Sequence, residues 1–219
     1  MTGPGGEYRI FNVTTTGAVA FSGLTISNGL PPNGTVSGGG IQNLQGGTVN
    51  VTNSTISGNI ASDTGGILNH GSTVTVKSSI IASNAGSTPD ISGSFTSSGF
   101  NLVGKTDGGA GFAAPTDQTG TVALPLDPKL DSNGLQNNGG LTETVALLFG
   151  SPAINTGTSS GLTGLLPTDQ RGAPRVVGAG CDIGAFELPE PAASLGALAA
   201  LLALGALPRC RRRGWRRSA

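Results

Sequence analysis

Histidine, cysteine and aromatic side chains are scarce in this sequence. Its 219 residues include one histidine, two cysteines and 4% aromatic residues. Two cysteines do not make a structural zinc site, and His70, in the turn-like stretch NHGS, does not assemble a Ser-His-Asp set. We interpret His70 as a turn residue and Cys181 as a buried structural cysteine. We predict no catalytic residue, no metal and no cofactor.

Charged residues are also few, at 11% of the chain, and they are unevenly placed. Residues 1–208 carry six basic and twelve acidic side chains, a net charge of −6, whereas the last eleven positions carry six arginines and no acid. The body is not basic enough to predict nucleic-acid binding. The basic end of the chain instead indicates contact with a membrane.

The amino-terminal stretch MTGPGGEYRIFNV lacks the basic start and apolar core of a secretory signal peptide. A membrane-directed tail should accompany an export signal. We therefore expect the sequence to be truncated or mis-started at its amino terminus.

Glycine, threonine, serine and asparagine dominate the sequence, and in the first hundred residues they form a repeat. The segments VAFSGLTISNG, VNVTNSTISGN and VTVKSSIIASN align without gaps. Their apolar residues alternate with polar ones, which predicts β-strands. The alignment predicts three shared positions: Val19, Val49 and Val74; Phe21, Val51 and Val76; and Ile26, Ile56 and Ile81.

Stacked copies of this repeat bury an apolar side that one copy cannot bury alone. Stacking at about 4.8 Å per coil predicts a parallel β-helix, with Asn43 and Asn69 in an amide ladder and glycines at corners that need positive φ. A leucine-rich horseshoe and a β-propeller are the alternatives. The sequence lacks the leucine consensus of the first and the roughly 40-residue blades of the second.

The stretches GGGIQNLQGGTVNVTNSTISGNIA and GGILNHGSTVTVKSSIIASNAG resemble coils of large bacterial surface proteins of the polymorphic-outer-membrane-protein and pectin-lyase-like type. This resemblance implies an all-β, right-handed parallel β-helix over residues 1–104. An irregular C-terminal cap and a hydrophobic C-terminal helix would complete the fold.

Residues 105–188 contain LDPKLDSNGLQNNGGLTETVALLFGSPAINTG and TDQRGAPRVVGAGCDIGAFE, which together resemble the bacterial choice-of-anchor Q domain. Val145 stands where that family usually has histidine, and Asn155 where it usually has aspartate. Both departures weigh against an enzymatic role.

Asp169 and Arg171 lie two residues apart, and we expect them to form an ion pair that holds the last loop onto the end of the β-helix. A ligand or metal site is the alternative for this pair. Calcium binding is a further alternative, although the spacing of the candidate oxygen ligands is not that of an EF-hand loop. These candidates are Asp127, Asp131, Asn133, Asn137 and Asn138.

The tail begins with Pro-Glu-Pro, continues with the uncharged residues 192–207 and ends in arginines. As a helix the uncharged stretch is about 24 Å long, slightly short of the ~30 Å hydrocarbon core, and arginines next to it can snorkel. Residues 189–219 resemble the PEP-CTERM sorting signal of Gram-negative bacteria. The site residues that this implies are Pro189, Glu190, Pro191, Arg209, Arg211, Arg212, Arg213, Arg216 and Arg217. A plain membrane anchor is the alternative.

These features predict an exported, non-enzymatic protein of the cell surface or extracellular matrix of a Gram-negative bacterium, with a role in adhesion or in envelope and biofilm structure. The resemblance implies an exosortase-type processing enzyme as partner and transient anchoring in the inner membrane. Extracellular polysaccharide is a further candidate partner. The alternative is a carbohydrate-active or carbohydrate-binding β-helix whose active coils lie outside this chain, since Asp63, Asp90 and Lys77 share no repeat position that would make a catalytic cluster.

Overall fold

Short β-strands make up the regular structure of this protein. The computed structural model describes residues 8–31, 38–70, 73–158, 167–176 and 180–190. Residues 1–189 form one compact unit, to which all the strands belong, and residues 190–219 form another. The described residues contain no helix, so the described part of the protein is all-β. The strands are β1 (Phe11–Val13), β2 (Ala18–Ser22), β3 (Thr25–Ile26), β4 (Ile41–Asn43), β5 (Thr48–Thr52), β6 (Thr55–Ile56), β7 (Ile67–Asn69), β8 (Thr73–Lys77), β9 (Ile80–Ile81), β10 (Ile91–Ser94), β11 (Thr96–Ser97), β12 (Leu102–Val103), β13 (Gly109–Ala110) and β14 (Gln118–Thr119).

The strands form three parallel sheets, and neighbours within a sheet are three strands apart along most of the chain. The first sheet has the order β1-β4-β7-β10-β13, the second β11-β8-β5-β2 and the third β14-β12-β9-β6-β3. Each repeat unit thus contributes one strand to each sheet. This connectivity is compatible with a parallel β-helix or solenoid, as the repeat predicted. Parallel pairing continues past residue 104, since β13 and β14 join the first and third sheets.

The register predicted from the repeat is confirmed. Val19 pairs with Val49, and Val49 with Val74. In the same way, Phe21 pairs with Val51, which pairs with Val76. Ile26 pairs with Ile56, which pairs with Ile81. A slip of one residue would move every apolar side chain to the opposite face of its strand, so burial of one face holds the register.

Apolar side chains from all three sheets pack into one cluster, which we call the inner core. In β5, Val49 and Val51 are buried while Thr48, Asn50 and Thr52 are half-buried on the outward face. Burying one such valine or isoleucine stabilises the fold by roughly 1.5–3 kcal/mol. The buried members of the inner core are Val13, Phe21, Ile26, Ile41, Val49, Val51, Ile56, Ile67, Val74, Val76, Ile81, Ile91, Phe95 and Val103.

The third sheet is covered on its outward face as well, by described residues between Leu126 and Leu188. Ile80 and Leu102, the outward neighbours of Ile81 and Val103, pack with Leu147, Ile183 and other side chains in a second cluster, the outer core. Where the outward residue is polar, it bonds to the same covering chain: the Thr25 Oγ1 donates to the Gln170 Oε1 at 2.7 Å. The described C-terminal region therefore lies along the flank of the third sheet.

Glycine pairs in the repeat allow neighbouring backbones to approach closely. A Cβ on Gly40 would lie 2.9 Å from the Gly66 carbonyl oxygen, and one on Gly66 would lie 2.1 Å from the Asp90 carbonyl oxygen. Neither glycine has a positive φ. The expectation that the glycines serve left-handed corners is therefore wrong for these two, which are required because the next strand leaves no room for a side chain.

Left-handed corners occur elsewhere, and glycine shares them with other residues. The corner between the second and third sheets has Gly23 (φ 64°), Asn53 (φ 46°) and Ser78 (φ 44°) in three successive units. Glycine adopts this region freely and asparagine tolerates it. Serine does so at some cost, which the surrounding stack must offset.

Polar side chains also stack in register, and the predicted ladder of Asn43 and Asn69 is confirmed. The two residues are paired, and the Asn43 Nδ2 donates to the Asn69 Oδ1 at 3.3 Å. A second ladder joins Asn59, Asn84 and Asp90. A third runs from Ser54 to Asp117, with Ser79 and Asn101 between them. The second and third ladders also accept backbone N–H groups at the corners, such as those of Asn59 and Ser79.

Candidate functional site

The third sheet is bordered on one side by a cleft of about 460 Å³, which we call the corner cleft. One wall consists of corners that directly follow β3, β6 and β9, and the opposite wall is a loop over residues 130–134. Val145 completes the lining. The described lining residues are Ser27, Asn28, Ser57, Gly58, Ser83, Leu130, Asp131, Ser132, Asn133, Gly134 and Val145.

The repeat itself builds the first wall. Ile26, Ile56 and Ile81 point into the inner core, and the chain turns immediately after each of them. The turning residues are Asn28, Gly58 and Ser83, all with φ between 61° and 67°. Equivalent positions of three units therefore face the cleft, at the ~4.8 Å spacing of neighbouring strands.

The side chains of this wall are not used to hold the fold. Within the described part of the chain, Ser27, Asn28, Ser57 and Ser83 form no side-chain hydrogen bond. The side chain of Asn59, which follows Gly58 in the same corner, is by contrast hydrogen-bonded: it accepts the Gly29 N–H and donates to Asn84. Asn59 is thus engaged inside the corner, whereas Asn28 and Ser83 are exposed, Ser27 is half-buried and Ser57 is 4% exposed.

The second wall is a turn that its own aspartate stabilises. Asp131 Oδ1 accepts hydrogen bonds from the backbone N–H and the side-chain amide of Asn133, at 2.9 and 3.0 Å. The Asp131 N–H donates to the Ala146 carbonyl at 2.9 Å, which ties the turn to the segment that carries Val145. Val145, 3% exposed, and the half-buried Leu130 give the cleft an apolar floor.

The expected ion pair of Asp169 and Arg171 is present. The Arg171 Nη2 lies 2.6 Å from the Asp169 Oδ2, and the guanidinium carbon lies 3.7 Å from the centre of the Phe186 ring. The location of the pair differs from the prediction. The pair lies in the segment that packs on the outward face of the third sheet, rather than at the end of the stack. This segment lies there because it buries apolar outward side chains such as Ile80.

A second, more deeply buried contact between an arginine and a glutamate helps to fix this segment to the sheets. The Arg175 Nη1 lies 3.1 Å from the Glu187 Oε1, and the two side chains are 1% and 3% exposed. The Arg175 Nη2 also donates to the Asn53 carbonyl at 3.3 Å. Burial, with the nearby charges of Asp182 and Asp169, raises the pKa of Glu187 to about 8 despite Arg175. Burial likewise lowers the pKa of Arg175.

The candidate calcium ligands serve local turns. Asp127 Oδ1 accepts the Lys129 N–H at 2.8 Å, Asn137 Oδ1 accepts the Gly139 N–H at 3.1 Å, and the Asn138 amide donates to the Thr144 carbonyl at 2.9 Å. Within the described ranges, no group of three or more His, Cys, Asp or Glu side chains is arranged to hold a metal.

The other residues considered for chemistry lie apart in the fold. His70 is exposed, and its N–H donates to the Asn43 carbonyl at 2.9 Å. Cys181 is buried, as predicted, in the segment that covers the third sheet. Val145 lies in the corner cleft, whereas the Asn155 N–H donates to the Asp182 Oδ1 at 2.8 Å.

The predicted sorting signal falls largely outside the described residues. Pro189 is exposed and follows Leu188, whose N–H donates to the Asp182 Oδ2 at 2.7 Å. Glu190 is the last described residue. Pro191, the predicted helix over residues 192–207 and the six arginines lie beyond it. Among the described residues, no helix has the length and apolar character needed to cross a membrane.

Sequence reasoning missed the corner cleft. Ser27 and Ser57 occupy the same repeat position, directly after Ile26 and Ile56, which was the available signal. The approach of the loop over residues 130–134 could not be predicted, because that loop has no repeat. No protein-family model, curated protein or solved structure matches this chain.

Proposed function

We propose that this chain is an exported, non-enzymatic surface or extracellular-matrix protein that acts in adhesion or in envelope and biofilm structure. Its body is a right-handed parallel β-helix with an irregular C-terminal covering region. The observation that supports this most directly is the in-register parallel stacking of three sheets, each built from one strand per repeat. Such a stack is a scaffold whose outward positions present polar side chains to other molecules.

The use of its charged side chains supports a non-enzymatic role. Asp90 and Asp117 end two of the polar ladders. Asp169 and Glu187 pair with Arg171 and Arg175 within the covering segment. Carboxyl groups held in this way are used for bonds within the fold, whereas glycan cleavage requires a pair of carboxyl groups facing a common substrate.

The tail directs the body to the surface in this proposal. Residues 192–207 enter the inner membrane transiently, the arginines remain cytoplasmic according to the positive-inside rule, and an exosortase-type enzyme processes the chain near Pro189–Pro191. Pro189 is exposed and directly follows Leu188, whose N–H is bonded to Asp182, so the proposed cleavage region begins next to the body. The mature protein then lies at the surface or in the matrix of a Gram-negative bacterium.

The intact mass of the exported protein tests the sorting proposal. The full chain is expressed behind a working export signal in a host that has an exosortase. Mass spectrometry then gives the intact masses of the surface and secreted forms. We expect a mass that ends near Pro191. A mass that runs through Ala219 would show a permanent anchor and would overturn the sorting proposal.

A matched pair of variants makes the same experiment specific. The double variant Pro189→Ala/Pro191→Ala should retain the tail, whereas Pro125→Ala, in an exposed loop outside the signal, should be processed normally. Incubation of the purified protein with polysaccharides tests the non-enzymatic role separately. Accumulation of shortened or unsaturated products would contradict it.

A further inference from the structure

We propose that the corner cleft binds a neutral oligosaccharide chain. This inference deepens the proposed function, on which it rests for its extracellular setting, by naming a site and a class of ligand. It depends on what the cleft presents: polar groups that the fold does not use, an apolar floor and the charge of its lining.

Four polar side chains that line the cleft form no hydrogen bond within the described part of the fold. Ser27, Ser57 and Ser83 present hydroxyls and Asn28 an amide, and none of these side chains bonds to another described residue. Hydroxyl and amide groups both donate and accept hydrogen bonds, as sugar hydroxyls do. The corners follow one another at the ~4.8 Å spacing of the strands, so each of the three units places at least one polar side chain along the wall: Ser27 and Asn28, then Ser57, then Ser83. A ligand that is itself a chain of hydroxylated units can bond to them in succession.

The floor and the size of the cleft fit the same ligand. The half-buried Leu130, at the start of the second wall, and the nearly buried Val145 add apolar surface between the polar groups of the two walls. One face of a sugar ring consists of C–H groups, which pack on such side chains while the hydroxyls reach the walls. The volume of about 460 Å³ lies within the range of roughly 300–1,000 Å³ that ligand sites occupy.

The charge of the cleft decides between neutral and acidic glycans. Asp131 is the one ionisable side chain in the described lining, which includes no lysine or arginine. Residues 1–208 as a whole carry a net charge of −6. A uronic acid, sulfate or phosphate group in the cleft would therefore meet a like charge without a compensating cation. A neutral chain meets no such penalty.

A different face of the protein serves as the natural control. Thr48, Asn50, Thr73 and Thr75 also present polar groups, on the outward side of the second sheet. The cleft adds a second wall, the turn from Asp131 to Gly134, which can contact the ligand from the opposite side. Binding should therefore occur at the cleft in preference to the sheet face.

Chemical-shift mapping tests the proposal on the full chain. The ¹⁵N-labelled protein, in a zwitterionic detergent without a sugar headgroup, is titrated with cellohexaose, maltohexaose and chitohexaose and with the acidic hexagalacturonate. We expect at least one neutral hexasaccharide to shift the amide resonances of residues 27–28, 57–58, 83 and 131–134. Hexagalacturonate should bind more weakly.

Three variants identify the site. Ser27→Ala/Ser57→Ala removes two hydroxyls that the fold does not use and should weaken neutral-hexasaccharide binding about fivefold or more. Thr48→Ala/Thr73→Ala removes two hydroxyls from the sheet face and should leave affinity unchanged. Asp131→Asn retains the Oδ1 acceptor of its turn and should reduce the preference for neutral over acidic ligand about threefold or more.

Each outcome decides the question. The absence of shifts with all three neutral hexasaccharides at millimolar concentration would overturn the proposal. Shifts confined to the sheet face (Thr48, Asn50, Thr73 and Thr75), or stronger binding of hexagalacturonate, would overturn it as well. Since this readout does not depend on export or processing, a negative result leaves the sorting proposal intact. Likewise, a mass that runs through Ala219 leaves the cleft proposal intact.

Discussion

Asn59 and Asn84 occupy the same position in successive repeat units, and the Asn59 Nδ2 donates to the Asn84 Oδ1 at 3.0 Å. The Asn84 Oδ1 also accepts the Asn59 backbone N–H at 3.1 Å. Asn84 in turn bonds through its side-chain amide to the carbonyls of Ile56 and Ala82 and to Asp90. One side chain thus satisfies several polar groups at a corner where both asparagines are buried.

We predict that Asn84→Ala destabilises the protein by about 3 kcal/mol, because it leaves the buried Asn59 backbone N–H and the Ala82 carbonyl without partners and removes the side-chain bond to Asp90. Urea unfolding measures the change. Asn50→Ala, on the half-buried outward face of β5, is the control and should cost no more than about 0.5 kcal/mol. Equal losses for the two variants would show that the ladder contributes nothing particular to stability.

The outer core predicts a local effect of Ile80→Ala. Ile80 is fully buried between the third sheet and the covering segment, and its truncation should cost about 2–5 kcal/mol. Amide hydrogen exchange should rise most in residues 150–158 and 180–188, which lie over it. Ile81→Ala, which removes the adjacent inward side chain, should instead raise exchange in the strands of the inner core. The same exchange pattern for both variants would contradict the division into two cores.

The close approach of two backbones at Gly66 predicts that Gly66→Ala is severely destabilising. The new Cβ would lie 2.1 Å from the Asp90 carbonyl oxygen, which is backbone and cannot move away without separating β7 from β10. We expect a loss of about 3 kcal/mol or more in thermal or urea unfolding. Gly46→Ala is the control: a Cβ there would meet open space, but the backbone has a φ of 73°. This substitution should lower the free energy of unfolding by only about 1 kcal/mol. A mild effect at Gly66 would indicate that the strands are not held at this spacing.

The buried Glu187 predicts a stability that falls as pH rises from about 5 to about 8. Its pKa is about 8 in the folded protein and 4.5 when unperturbed. Between these values the folded state holds a proton that the unfolded state has lost, so raising the pH favours unfolding. We expect a loss on the order of 1–3 kcal/mol between pH 5 and pH 8.5, measured as the shift of the urea midpoint.

Glu187→Gln is the matched variant for this pH dependence. It retains a carbonyl oxygen for Arg175 and removes the titration, so its stability should change less than that of the parent protein over the same range. A parent protein that becomes more stable from pH 5 to pH 8.5, or a variant that keeps the full dependence, would contradict this assignment. In either case other groups would dominate the pH response.

Much of the strand register could be predicted because its cause is local. Val49 and Val51 alternate with polar residues, and the same pattern recurs at Val74 and Val76, so both the buried face and the pairing follow from the repeat. The amide ladder of Asn43 and Asn69 follows from the same alignment. The sequence indicated the outer core less clearly, through a single pair of adjacent apolar residues. Ile80 and Ile81 are adjacent on one strand and must face opposite sides, so a sheet with both must be covered on both sides.

The sequence by itself determined which residues stack, because side-chain alternation and repeat length are properties of short segments. Only the tertiary structure decided where the described residues between 126 and 188 lie, because this part of the chain has no repeat. Their position depends on contacts across long stretches of chain, such as the bond from the Ala185 N–H to the Thr55 Oγ1 at 3.0 Å. The corner cleft exists for the same reason: the repeat built one wall, and the packing of the loop at Asp131 placed the other wall opposite it.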